Sequence, residues 1–358
     1  MDKKYMERAL ELAALGEGNV NPNPMVGAVV VKDGKILGEG YHKKYGGPHA
    51  EVFALEEAGE KAKGATIYVT LEPCSHYGKT PPCAKKIIDM GIKRCVIASL
   101  DPNPLVSGRG IKMMTDAGIE VITGIMEKEA LELNRVFMKY ISTKTPYLFL
   151  KCGITLDGKI ASRTGNSKWI TNELAREKVQ RLRNKYMGIM VGINTVLADN
   201  PSLTARIENG RNPHRIVIDP FLDIPLDSKF VNFEDGKSIL VTSYNNVEKE
   251  KISLLKNKNV NVIFLEGTDF KICDILKKVG ETGIDAVLLE GGSFLISRAF
   301  AEKAIDGGEI FIAPKILGDG EAVPFIKGFT CENISDGFQL ENVKINNYGN
   351  NVSMEFYR

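Results

Sequence analysis

Apolar positions along this chain switch repeatedly between a helical period and short unbroken runs, the signature of amphipathic helices alternating with buried strands. Met6, Leu10 and Ala13, with Ala9 and Leu12 beside them, share one helical face, and Gly16 and Gly18 end that helix. A buried strand is predicted over 26–31, and Asp33-Gly34 turns it into a second over 36–41, a strong hairpin signal. Alternation follows: a helix over about 50–58, a strand over 66–71, a helix over about 83–90, a strand over 94–99, a helix near 111–117 and a strand over 119–122. That order implies a sheet with helices on its faces.

Ser-Thr-Lys-Thr-Pro at 142–146 interrupts the periodicity, and a fresh buried strand begins at 147. Because 358 residues exceed what one hydrophobic core usually serves, the chain is read as two domains, 1–144 and 147–358. The second half alternates again. Helices are expected over 173–186, 271–279 and 294–302, and strands over 147–151, 187–191, 215–218, 238–242, 260–265, 285–289 and 309–312. A hairpin over 343–358, turning at Tyr348-Gly349-Asn350-Asn351, closes the chain. Both halves are α/β, without internal repeats or low-complexity tracts.

Composition narrows the partners. Lys plus Arg is 47 against 45 for Asp plus Glu, so the chain lacks the basic field that phosphate tracking on nucleic acid or an anionic membrane needs. A small molecule is expected instead. No run of about 18 apolar residues marks a membrane span, and the first residues carry no apolar export core, so a cytoplasmic location is expected. Six cysteines in a reducing compartment point to metal binding or incidental burial rather than disulfides. Cys95, Cys152, Cys273 and Cys331 read as small buried hydrophobes.

Cys74 and Cys83 have different company. Pro48-His49-Ala50-Glu51 precedes Glu72-Pro73-Cys74, and Cys83 follows Pro81-Pro82. One imidazole and two thiolates (His49, Cys74, Cys83) give zinc three protein ligands and leave a position open, the arrangement of a catalytic rather than a structural site. Glu51 is then free to shuttle protons between water, a ring nitrogen and departing ammonia. His49 and Glu51 stand two apart, so they can face one ion only at a helix's first turn, where Pro48 fits. Both cysteines are expected before helical stretches, whose N-terminal dipoles favour thiolate. His-x-Glu, then Pro-Cys and a second Cys, is the pattern of zinc nucleobase and nucleoside deaminases. One departure is the spacing: that pattern has two residues between its cysteines, and here there are eight, 75–82. The polar and cationic insert reads as a substrate-recognition loop.

Asn21-Pro22-Asn23-Pro24-Met25-Val26-Gly27, His49-Ala50-Glu51, the Pro73-Cys74 to Cys83 insert and Asp101-Pro102-Asn103-Pro104 together resemble the bifunctional deaminase-reductases of riboflavin biosynthesis. The likeness continues through Lys151, Thr155-Leu156-Asp157-Gly158, Trp169-Ile170-Thr171, Asp199-Asn200-Pro201 and Glu290-Gly291-Gly292, covering essentially the whole chain. It implies a cytidine-deaminase-like α/β/α N-terminal domain and a dihydrofolate-reductase-like α/β C-terminal domain. The substrate it implies is 2,5-diamino-6-ribosylamino-4(3H)-pyrimidinone 5′-phosphate, deaminated with Zn2+ and then reduced by NADPH at the ribosyl side chain to the ribityl product. Positions matching the deaminase substrate site are Asn23, His42, His76, Lys79, Asp101 and Asn103. Lys79 suits the phosphate and Asn23 the pyrimidine edge. His42 stands equally well as a ligand contact or a satisfied structural histidine, and 101–104 can be simply a turn.

In the second half, Glu290-Gly291-Gly292-Ser293 lies between an apolar strand and a helix, where backbone N–H groups can receive a pyrophosphate. On pattern alone a structural turn explains it as well; the dinucleotide-binding fingerprint is absent. The resemblance matches Gly153, Trp169, Thr195, Asp199, Gly292, Ser293, Phe294 and Leu295 to the cofactor, and Lys151, Ser167, Arg183, Leu203, Arg206 and Glu290 to the substrate. Arg176 and Arg181 stay structural, as charges on a helix usually form a solvated face. Lys151 is the residue to bind or polarise the ribose. Folds of this kind imply a homo-oligomer, dimer or tetramer. The competing readings are a nucleoside or RNA deaminase fused to an unrelated module, and a non-enzymatic, metal-stabilised binding protein.

Overall fold

The structure is a computed structural model that describes residues 1–75, 81–103 and 107–358. The chain divides into two compact units, Met1–Lys144 and Thr145–Arg358. Among the described residues no helix is long and apolar enough to cross a membrane.

The first unit runs α1 (Asp2–Ala14), β1 (Gly27–Lys32), β2 (Lys35–Tyr41), α2 (Ala50–Ala58), β3 (Thr66–Leu71), α3 (Cys83–Asp89), β4 (Arg94–Ser99), α4 (Arg109–Asp116), β5 (Glu120–Thr123), α5 (Glu127–Leu133) and α6 (Arg135–Thr143). Its sheet has the order β2-β1-β3-β4-β5, with β1 antiparallel to both neighbours and the rest parallel. Side chains alternate across each strand, so both faces are apolar. Val29, Val31, Tyr68 and Val96 meet Met6, Ala9 and Leu12 of α1 and Ala130 of α5. On the other face Val30, Ile67, Val69 and Ile97 meet Ala54 and Leu55 of α2, Ile87 of α3 and Met114 of α4. The result is a three-layer α/β/α unit. Helix α2 sits unusually close to β2: a Cβ added at Gly40 would lie 2.4 Å from the Ala50 carbonyl oxygen, and one at Gly38 2.2 Å from that of Ala54. Only glycine permits that approach, and it fixes where α2 begins.

The second unit runs β6 (Tyr147–Thr155), β7 (Lys159–Ala161), α7 (Glu173–Lys185), β8 (Gly188–Gly192), α8 (Ile193–Asp199), β9 (His214–Ile218), β10 (Ser238–Ser243), α9 (Glu250–Asn257), β11 (Val260–Leu265), α10 (Ile272–Gly280), β12 (Ala286–Gly291), α11 (Ser293–Ala301), β13 (Gly307–Ala313), β14 (Val323–Pro324), β15 (Lys344–Tyr348) and β16 (Asn351–Tyr357). Nine strands form one sheet in the order β11-β10-β9-β8-β12-β6-β13-β16-β15. Its pairs are parallel except for β16 against β13 and β15. Helices α10 and α11 cover one face through Ile275, Leu276, Ile296 and Ala299. The other face receives Val196 of α8 and Ile252 and Leu255 of α9. The α/β character expected of both halves is what the structure has. Helices α5, α6, α8 and α9 were not foreseen in the periodicity, and β6 runs four residues beyond the expected end at Lys151.

Candidate functional site

In the first unit, β3 delivers Pro73-Cys74 past its C-terminal end, and α2 and α3 present their first residues to the same place. His49 is the N-cap of α2 in extended backbone, and Cys83 opens α3. The His49 Nδ1 lies 3.7 Å from Cys74 Sγ and 3.3 Å from Cys83 Sγ. All three donor atoms lie within 4.8 Å of one another. Zinc bonds of about 2.3 Å to sulfur and about 2.0 Å to nitrogen put tetrahedral ligands about 3.5 Å apart, so the donor set fits that ion. Cys74 does not precede a helix as expected. It sits in an irregular segment, and its sulfur accepts the Cys83 backbone N–H at 3.3 Å, which draws on the α3 terminus indirectly. A hydrogen bond from Cys83, together with the His49 imidazole, pulls the Cys74 thiol down to about 4 against the opposing effect of burial. The Cys74 thiolate in turn raises His49 to about 9.

Glu51 is 3 % exposed, and its Oε2 has no hydrogen-bond partner. Burial pushes its carboxyl pKa up, against the pull of His49. His42, its ring 5.5 Å from that of His49, is 2 % exposed. Its Nδ1 lies 3.0 Å from the Pro48 carbonyl and its Nε2 3.2 Å from Asn23 Nδ2. A carbonyl only accepts, so Nδ1 carries the proton, and burial lowers the ring's pKa and keeps it neutral. Nε2 therefore accepts from Asn23, whose Oδ1 is left turned away from the ring. With both nitrogens engaged, His42 orients Asn23, the structural one of its two open roles. Asp101 Oδ1 accepts the Asn103 N–H at 2.8 Å and builds the turn that carries both residues. His76 and Lys79 lie outside the described residues.

In the second unit, Glu290 near the end of β12 is the centre. Arg183 of α7 gives Nε and Nη2 to its two oxygens at 2.7 Å each, and Nη1 to the Thr204 carbonyl at 3.1 Å. Lys151 of β6 holds its Nζ 3.9 Å from Glu290 Oε2. Burial alone would raise the Glu290 carboxyl, but Arg183 and Lys151 outweigh it and hold it down at about 2. Leu203 is buried at φ 52°, just ahead of Thr204, and Arg206 stays exposed with its N–H on Gln180. Ser167 is half-buried.

Beyond Glu290, Gly291 adopts φ 120° and Gly292 caps α11. A Cβ at Gly292 would stand 3.6 Å from Thr195 Oγ1 of α8, so these two line one cradle. Ser293 is 6 % exposed with its Oγ unpartnered, an orphaned buried polar atom at a helix start. Phe294 and Trp169 stand 66 % and 61 % exposed, unusual for large apolar rings. Asp199 pairs with Lys168 at 3.5 Å, the residue before Trp169. Gly153 faces the Thr171 methyl, where an added Cβ would be 3.3 Å away. Leu295 turns its side chain into the apolar core. A cradle without side chains, an orphan hydroxyl and two exposed rings fit a nicotinamide dinucleotide.

Two family models divide the chain: the cytidine and deoxycytidylate deaminase zinc-binding region over residues 1–99 and the RibD C-terminal domain over 146–354. Riboflavin biosynthesis protein RibD of Aquifex aeolicus is 47 % identical over 100 % of this chain and 99 % of its own length. The Escherichia coli protein of the same name is 39 % identical, over 99 % of this chain and 98 % of its own. The chain belongs to the RibD family. Solved RibD structures agree. Acinetobacter baumannii RibD superposes with a TM-score of 0.90 at 37 % identity, covering 99 % of this chain and 98 % of that one. The Thermotoga maritima diaminohydroxyphosphoribosylaminopyrimidine deaminase/5-amino-6-(5-phosphoribosylamino)uracil reductase does so at 0.88 and 40 %, with the same coverage.

As a RibD, the chain is a bifunctional deaminase and reductase of riboflavin biosynthesis. Zinc belongs to its deaminase half, a nicotinamide cofactor to its reductase half, and its substrates are small nucleotide-like molecules. A deaminase with an unrelated second module is disfavoured by the RibD C-terminal match. One expectation needs correction. Cys273 and Cys331 are exposed, because Cys273 lies off the 272-275-276-279 face that α10 buries and Cys331 lies in a surface loop. Arg176 has the structural place expected of it: its guanidinium lies 4.7 Å over the Trp169 ring and donates to the Thr171 carbonyl at 2.7 Å.

Sequence reasoning missed two buried anchors in the RibD deaminase half. Asn134, between α5 and α6, exchanges both amide hydrogen bonds with the Met25 backbone, Oδ1 accepting its N–H and Nδ2 donating to its carbonyl, each at 2.8 Å. Glu72, two residues before Cys74, accepts the N–H groups of Gly108 and Gly110 at 3.0 and 3.1 Å, tying β3 to the start of α4. Replacing Glu72 by Leu strands those donors, so we expect a loss of about 2–3 kcal/mol in the deaminase unit. Denaturant unfolding of the isosteric Glu72→Gln alongside should show a smaller loss, since its amide keeps one acceptor oxygen. Equal losses for both variants would contradict the carboxylate's role.

Proposed function

We propose that this chain deaminates 2,5-diamino-6-ribosylamino-4(3H)-pyrimidinone 5′-phosphate at its first site and reduces the resulting 5-amino-6-(5-phosphoribosylamino)uracil with NADPH at its second. The reading is supported above all by Glu51, a buried carboxyl group with one oxygen, Oε2, left without a hydrogen-bond partner beside a sulfur-and-imidazole cluster of zinc-binding dimensions. His49, Cys74 and Cys83 would hold the zinc, which would supply a Lewis acid that makes water a nucleophile near neutral pH. Glu51 would take a proton at Oε2 from the attacking water, return it to the ring nitrogen and then assist ammonia as it leaves. Asn23 meets the pyrimidine edge through Oδ1, its amide nitrogen being committed to His42. Asp101 and Asn103 contribute from the neighbouring turn, and His76 and Lys79 from the recognition loop, with Lys79 toward the phosphate.

In the second half, Gly153, Trp169, Thr195, Asp199 and Gly292 to Leu295 would hold NADPH, and the backbone N–H groups that open α11 would offer donors to its phosphates. Leu295 can serve only through its backbone. Lys151, Ser167, Leu203, Arg206 and Glu290 take the ribose phosphate, with Arg183 fixing Glu290 rather than reaching out itself. The chemistry is chiefly positioning, since the cofactor carries the hydride. Lys151, steered by Glu290, polarises the opened ribose at C1′. The enzyme works in the cytoplasm as a dimer or tetramer.

Supplying the diaminopyrimidinone nucleotide to zinc-loaded protein should yield ammonia first and NADPH loss second. NADPH loss without preceding ammonia, or equal turnover with NADH, would contradict the order or the cofactor.

A further inference from the structure

We propose that Asn134 is a positioning residue for deamination, holding the segment that carries Asn23 at the depth where its amide meets the pyrimidine. The inference rests on the deaminase reading of the first site. Asn134 is 2 % exposed and comes from the α5–α6 junction, 109 residues along the chain from its partner Met25. Its side chain closes a two-point contact on the Met25 backbone, donating to the carbonyl and accepting from the N–H at 2.8 Å each. Its own N–H and carbonyl are taken by Ala130 and Met138. Every polar atom of Asn134 is therefore committed, and no isosteric residue reproduces both bonds.

Met25 is two residues from Asn23, and the segment between and before them is Pro22-Asn23-Pro24. Each proline fixes its own φ, so fewer torsions between Met25 and Asn23 are free to absorb a shift at Met25. Asn23 is pinned at its other end by His42, which leans on the Pro48 carbonyl next to His49. Asn134 and His42 thus fix the reading amide from two sides, one at its backbone and one at its side chain. Freeing the backbone side leaves the metal cluster untouched but misplaces the recognition group.

The test uses the full chain, whose reductase is an internal control. Asn134→Asp replaces the donor to the Met25 carbonyl by a carboxylate oxygen that opposes it, and Asn134→Ala removes both bonds. Either should raise the deaminase KM roughly 3- to 10-fold with kcat changed far less, the scale of one lost hydrogen bond between Asn23 and the pyrimidine. Zinc content and reductase turnover should stay at the parent level. Adding Asn23→Ala to Asn134→Asp should cost no more than Asn23→Ala alone. An unchanged KM, additive losses, or zinc lost together with KM would each overturn the proposal. Absence of ammonia release by the parent chain would instead sink the deaminase reading itself.

Discussion

Glu51→Gln is expected to abolish ammonia release while the protein keeps its full zinc content and its reductase activity. The substitution preserves shape and removes only the group that takes and returns a proton. Position-specific proton transfer contributes about 10²- to 10⁴-fold, and here one carboxyl group serves both the attack and the departure of ammonia. The loss should therefore reach the upper end of that range. Since the Glu51 Oε2 has no hydrogen-bond partner in the folded chain, an amide nitrogen placed there breaks no hydrogen bond, and stability should change little. Ammonia assay, metal analysis and NADPH turnover on one preparation check all three points. Deamination surviving within tenfold of the parent would remove Glu51 from the mechanism.

Arg183→Leu should produce the second large effect, this time confined to the reductase. Arg183 and Glu290 form a buried, two-bond ion pair, and leucine leaves the carboxylate in place without its main counter-charge. Breaking such a pair from one side costs about 3–5 kcal/mol, on the order of 10 °C in the melting temperature of a unit this size. Lys151 then loses its partner's fixed orientation, so reduction should fall as well while ammonia release persists. The pair also sets a pH signature. Glu290 is held at about 2, below the usual glutamate value of about 4.5, so its contribution is complete above that value and is lost as pH falls from about 5 toward 2. A depression of that size corresponds to roughly 3 kcal/mol. Acid unfolding of the parent should steepen in that window, and Arg183→Leu should flatten it. Identical acid profiles would mean that the pair is not the source.

The parts legible in the sequence were those whose chemistry is carried by residue type. His49, Glu51, Cys74 and Cys83 announce themselves because few other arrangements need an imidazole, a carboxyl group and two sulfurs, and the structure does bring the three donors together. Long amphipathic elements such as α1 and α7 read clearly for a similar reason: their buried faces hold large apolar residues at helical spacing. Helix α5 escaped because Ala130 is its one buried residue, and α8 because it buries only Val196. A small or single contact leaves no period to read. The order of the nine-stranded sheet, with β12 between β8 and β6, depends on pairings far apart in sequence that no local pattern encodes.

Glu72 and Asn134 were hidden for another reason. Their partners are backbone groups on distant segments, and a polar side chain destined for a backbone looks like any surface polar residue. His42 shows the converse: its type suggested chemistry, yet its geometry makes it a support for Asn23. Even the cysteines divide on geometry alone, since Cys95 and Cys152 are buried while Cys273 and Cys331 meet solvent.

The ligand shell of the bound metal tests the account most directly. X-ray absorption at the zinc edge of the purified full chain should give one zinc per chain, with two sulfurs, one imidazole nitrogen and one light atom from outside the chain. Cys74→Ser should remove one sulfur from that shell. A shell closed by four protein atoms, or one unchanged by Cys74→Ser, would contradict the assignment of His49, Cys74 and Cys83 as an open catalytic centre.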